Sequence, residues 1–130
     1  MPRWLVYLWT LPTTCLGLLV VVPAMLTGAR VRRHTGVIEC AGGFASFLLR
    51  HCTLLRGGAR AMTLGHVVIA RSVEALDATR AHERVHVRQC ERWGPLFIPA
   101  YLLASAWVFL RGGRAYRDNP FEREAYDRAG

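Results

Sequence analysis

Two histidines four residues apart enclose a glutamate in the run His82-Glu83-Arg84-Val85-His86. On a helix this spacing projects both imidazoles from one face, one turn apart. Two nitrogens so placed can reach one zinc ion at about 2.0–2.1 Å. Glu83 lies about 100° further around, where it can flank the ion without binding it. Zinc lowers the pKa of a bound water towards about 7, and a nearby carboxylate can take its proton and pass it to a leaving amine. H-E-x-x-H on a helix is the arrangement this hydrolysis requires. The alternative is two surface histidines on an Arg/Glu-rich helix, with Glu83 in a salt bridge to Arg80.

The helix cannot complete a metal shell alone. Cys90 continues the stripe, but it stands about 12 Å from His82 along a straight helix. The last predicted helix offers Glu122 and Glu124. Glu122, Ala125, Tyr126 and Ala129 fall at i, i+3, i+4 and i+7, a stripe able to face inward. Glu124 shares its side with Arg123, Asp127 and Arg128, which reads as solvated. Glu122 is therefore the expected third ligand. Asn119-Pro120-Phe121-Glu122 also fits a capping box, which would occupy Glu122 without any metal.

Together, His82-Glu83-Arg84-Val85-His86 and Asn119-Pro120-Phe121-Glu122-Arg123-Glu124-Ala125 resemble the gluzincin metallopeptidases, above all the minigluzincins and membrane-bound bacterial forms. The likeness covers residues 61–129. It implies His82, His86 and Glu122 as zinc ligands, Glu83 as general base, and a peptide or protein substrate. One position departs from the family pattern. Tyr126 stands where an aspartate usually orients a ligand histidine, leaving Asp118 or Asp127 as substitutes. The stretch from Arg88 to Phe97 also resembles small bacterial membrane proteins that carry the same motif.

The elements that must position these groups can be read from periodicity and turn signals. Val73–Trp93 is rich in Ala, Glu and Arg, lacks Gly and Pro, and stops at Gly94-Pro95, predicting one long helix. Asn119 as N-cap and Pro120 at the first helical position open a last helix through about Ala129. Val37–Ala41 and Ala61–Arg71 predict strands, with turns at His34-Thr35-Gly36 and Arg56-Gly57-Gly58. Phe44–Cys52 is ambiguous between strand and helix. The expected fold is α+β, with a small antiparallel sheet, the active-site helix, an apolar helix and the ligand helix.

Trp4–Leu26 is an uncharged run of 23 residues, long enough to cross a bilayer. It predicts a transmembrane anchor over residues 1–29 and a metallopeptidase domain over 30–130. A retained export leader is the alternative. Leu96–Leu110 has 15 residues and contains Pro99, short of a span. If it did cross, Glu122 would lie on the opposite side from His82 and His86. It is therefore read as a buried or half-inserted helix, with Trp93, Tyr101 and Trp107 suited to an interface.

All 17 basic side chains are arginine. Residues 1–72 carry eight of them against one acid, and residues 73–130 nine against eight. The excess lies beside the apolar run, where it can meet lipid phosphates. It is not a basic face interleaved with aromatics, so nucleic-acid binding is not expected. Arg30, Arg32 and Arg33 favour a cytoplasmic domain on a bacterial inner membrane. Cys15, Cys40, Cys52 and Cys90 form no C-x-x-C pair and read as free thiols. His66 reads as a surface strand residue. With Tyr116 and Tyr126 it is a candidate oxyanion partner. The rival functions are a non-catalytic zinc-binding module and a metal-free membrane-surface interaction module.

Overall fold

Two short strands buried on both faces, β2 and β4, decide the architecture. The structure, a computed structural model, describes residues 2–52 and 58–129. Its elements in chain order are α1 (Arg3–Leu26), β1 (Arg30–His34), β2 (Val37–Ala41), α2 (Gly43–His51), β3 (Ala61–Leu64), β4 (Val67–Ala70), α3 (Val73–Trp93), a 3-10 turn (Gly94–Leu96), α4 (Phe97–Leu110) and α5 (Pro120–Ala129). On β4, Val67 and Ile69 face a cluster with Val21, Ala24 and Leu49, while Val68 and Ala70 face Leu76 and Val87. One sheet face is thus covered by α1 and α2 and the other by α3. The segment read as an anchor, residues 1–29, therefore shares a hydrophobic core with residues 30–130. The turn expected at residues 56–58 falls largely outside the described residues.

The sheet order is β1-β2-β4-β3, and it is mixed, which corrects the antiparallel expectation. β2 and β4 run parallel, from Ile38 opposite Val67 to Ala41 opposite Ala70. The single strand expected over Ala61–Arg71 is a hairpin. Gly65, at φ +67°, opens a two-residue turn between β3 and β4. Because β3 takes the outer edge, β4 is inserted beside β2 in the same direction. Burial of all four β4 residues fits a strand covered on both faces. β1, absent from the sequence reading, pairs with β2 through Thr35 and Gly36, both at positive φ. The ambiguous segment after Gly42 is helical.

α3 has the predicted bounds. Ser72 caps it, its hydroxyl accepting from the Ala75 amide at 3.1 Å. It is clamped to the β1–β2 hairpin by Glu39, 1% exposed. That carboxylate accepts from Arg80 at 3.0 Å, Arg84 at 2.9 Å and Arg32 at 3.3 Å. Burial alone would raise its pKa, but the bonds to Arg80 and Arg84 prevail and hold it at about 2. A depressed carboxylate contributes stability above its unfolded pKa and loses it as pH falls through the folded value. Unfolding free energy should therefore drop by about 3 kcal/mol between pH 5 and pH 2 on account of Glu39. Glu39→Gln should be less stable at pH 7 and lack that part of the acid limb. Denaturant titrations across this range check both, and an unchanged limb in the variant would refute the clamp.

Candidate metal centre

The chemistry of the centre starts from two helices brought face to face. α3 supplies His82, Glu83 and His86, and α5 supplies Glu122. The start of α5 is fixed by Asn119, whose side-chain oxygen accepts from the Phe121 amide at 2.8 Å. Its side-chain nitrogen donates to the Tyr101 carbonyl at 3.1 Å and to Ser105 at 2.8 Å. This fully buried asparagine therefore both caps α5 and ties it to α4. The apolar helix α4 ends at Leu110 and the chain returns to α3, so that Glu122 meets His82 and His86 in one place.

Their donor atoms converge. Glu122 Oε1 lies 2.9 Å from His82 Nε2 and 3.0 Å from His86 Nε2, and the two imidazole nitrogens are 3.2 Å apart. Ligands about 2.0–2.1 Å from one tetrahedral ion stand about 3.3 Å from one another. The spacing therefore fits a single metal ion, held by the donor set His, His and carboxylate. Glu122 is not spent on a capping box: the Asn119 amide bonds to the Tyr116 carbonyl instead.

Three residues that the sequence reading did not assign build the surroundings. Gln89, 1% exposed, accepts at its side-chain oxygen from His86 Nδ1, 2.8 Å away. Its nitrogen donates to the Phe121 carbonyl at 2.9 Å and to Glu124 Oε1 at 2.7 Å. Those two acceptors fix which way the amide points, so His86 donates from Nδ1 and turns Nε2 to the centre. Glu124, expected to be solvated, holds this amide. Asp118 pairs with Arg114, so the orienting place is taken by Gln89. The signal was present in the sequence, because Gln89 stands one turn beyond His86. Tyr101 donates its hydroxyl to Glu122 Oε2 at 2.5 Å. Tyr126 packs its ring edgewise on His82 at 4.5 Å.

Thr63 on β3 is the third. It donates to Glu83 Oε1 at 2.8 Å and lies 3.1 Å from the Glu83 carbonyl. Arg80, the salt-bridge partner that the alternative assigned to Glu83, is engaged by Glu39 and Asp77. Burial pushes the Glu83 carboxyl above the usual range, against the pull of His86 and Thr63. Glu122 is drawn down to about 2, its bonds to His82 and His86 outweighing burial. His86 is raised to about 9, because the Glu122 carboxylate outweighs the effect of burial. Burial and the charge of Glu122 raise Tyr101 as well, so its phenol stays a donor.

Glu83, His86 and Glu122 open on a cavity of about 270 Å³ between β3 and α4. Met62, Leu64, Phe97, Ile98 and Leu102 form much of its wall. Tyr116 lines it too, whereas His66 does not. His66 is buried, not exposed as expected, and pairs with Glu91 at 2.7 Å. Of the oxyanion candidates Tyr116 is thus the one in the cavity, and Tyr126 flanks His82. Cys15, Cys40, Cys52 and Cys90 are all free thiols. No family model, curated protein or solved structure matches the chain.

Proposed function

We propose that this chain is a membrane-associated zinc metallopeptidase of the gluzincin type, in which His82, His86 and Glu122 hold the metal and Glu83 is the general base. The observation that carries the reading is the convergence of three ligand atoms beside a buried carboxylate at the end of an apolar cavity. Zinc in such a site supplies Lewis acidity, polarising a carbonyl and making a water acidic enough to react near neutral pH. Gln89 orients His86 and Tyr101 holds the second oxygen of Glu122. Glu83, made more basic by burial, takes the proton from the attacking water and delivers it to the leaving amine. The apolar wall suits a peptide with a bulky aliphatic or aromatic side chain next to the cleaved bond.

The small α+β domain with its active-site helix supports a zincin-like scaffold. The helix Arg3–Leu26, and the helical stretch Val73–Leu110 through its apolar end in α4, each contain a window long and apolar enough to cross a membrane, which supports a membrane location. The excess of arginine after α1 suits the anionic cytoplasmic leaflet of a bacterial inner membrane. A second reading, a zinc-binding module without catalysis, is favoured by the bond that ties Glu83 to Thr63.

Purified protein should carry about one zinc per chain. His82→Ala and His86→Ala should lose most of it. With zinc bound it should cleave peptides bearing a large apolar residue, about tenfold or more faster than those with a charged residue there. Zinc without hydrolysis would establish the second reading. Absence of zinc from wild type, after exposure to excess metal, would end both.

A further inference from the structure

α1 touches the rest of the chain along its whole length. Near its start Arg3 donates to Glu91 at 2.7 Å and Tyr7 to the Gly36 carbonyl at 2.9 Å. At its middle Thr13 donates to the Gly94 carbonyl at 3.1 Å, and Thr14 accepts from the His66 amide at 3.0 Å. At its end Thr27 accepts from the Phe44 amide at 2.7 Å. Gly17 lies so close to β4 that a Cβ there would stand 2.6 Å from that of Val67. The helix has 24 residues, about 36 Å, slightly more than the roughly 30 Å of a bilayer's hydrocarbon core.

Upright in a bilayer, α1 would therefore carry its partners to every depth of it. Glu91, the polar His66 turn and the exposed Arg88 and Arg92 of α3 would enter hydrocarbon with it. Yet α1 has an outer face that only an apolar phase suits. Val6, Thr10, Thr13, Gly17, Val21 and Ala24 form the buried stripe. Diametrically opposite run Trp4, Leu8, Leu11, Leu19, Val22 and Leu26, each 45–83% exposed and none charged. Exposed Arg33 follows on β1, on the strand face that Val31 turns towards α1, placed for anionic headgroups. α4 separately exposes Leu103, Trp107 and Leu110, with Arg111 over the Trp107 ring at 5.3 Å.

We infer that α1 lies in the plane of one leaflet, its outer stripe in the acyl region and Arg33 on anionic phosphates, so that it holds the domain against the membrane without crossing it. This rests on the membrane part of the proposed function and is independent of whether the triad holds zinc.

Nitroxide labels on native Cys15, on Leu8→Cys and on Val22→Cys test it, with Cys52→Ser throughout and Cys15→Ser in the last two. The protein is bound to vesicles of phosphatidylcholine and phosphatidylglycerol. In-plane seating predicts one common depth, about 5–10 Å below the phosphates. It also predicts that an impermeant thiol reagent reaches Pro2→Cys and Arg30→Cys from the same side. A label on Cys15 at about 15 Å, deeper than its neighbours and with the ends reactive from opposite sides, would mean a true span and overturn the inference. That result would leave the membrane location standing. Failure to bind vesicles, with the stripe covered by a second copy in a dimer, would overturn the inference and the membrane location together. The Cys15 label needs no change in α1, so its depth is decisive even where a substituted variant folds poorly.

Discussion

Glu83→Gln is expected to retain its zinc and to lose about 10²–10⁴-fold in turnover. The amide has the shape of the carboxylate, and Thr63 can still donate to its oxygen, so the cavity keeps its form. His82, His86 and Glu122 are untouched. What disappears is an acceptor whose pKa burial has raised, and a stronger base accepts a proton more readily. The wild-type rate should rise with pH through a limb lying above the ordinary carboxylate range, as Glu83 ionises. That limb should be missing from the residual rate of the variant. Turnover per bound zinc, measured against pH, gives both quantities. An unchanged rate would place the proton acceptor elsewhere, and loss of zinc would make Glu83 part of the metal shell.

The second large effect is on metal affinity. Glu122→Gln should weaken zinc binding about 100-fold, because a neutral amide oxygen is a poorer donor than a carboxylate. Gln89→Met should weaken it about tenfold, since His86 then loses the acceptor that fixes its ring. Glu124→Gln should cost less than either, because the Phe121 carbonyl still holds Gln89. With His86 raised to about 9, zinc must displace a proton at neutral pH, so affinity should fall as pH drops below that value. Competition with a chromophoric chelator over pH 6–9 measures all of this. Equal affinity in Glu122→Gln and wild type would remove α5 from the shell.

The part of the site that lies on one helix was legible because helix geometry is local. Spacing alone places His82 and His86 on one face, and Ser72 and Gly94 mark the bounds of α3. The choice of Glu122 over Glu124 also came from helical phase, and α5 presents it to the histidines. The strand order was not legible. A four-residue apolar run such as Val67–Ala70 has no alternation to show which partner flanks it, and Gly65 alone does not separate a kink from a turn. Gln89 was within reach of that same helical spacing, but its hold on α5 and the role of Tyr101 depend on α5 and α4 docking on α3, contacts that no spacing encodes. For α1 a signal existed but is subtle. Thr10, Thr13 and Gly17 interrupt large apolar residues at one helical phase, as suits a helix packed on protein.

The close seating of Gly17 on Val67 also has a consequence in time. Three hydrogen bonds of α1 join residues separated by 52, 81 and 88 positions. At a synthesis rate of about 5–20 residues per second, that stripe waits roughly 3–18 s for its partners. A helix apolar on both faces, left so long without a cover in water, is a nucleus for aggregation. A bilayer surface would shelter one face from the first seconds and leave the other free to receive the sheet. Yield of soluble, correctly packed chain should thus depend on lipid being present while the chain is made, more than on lipid added afterwards.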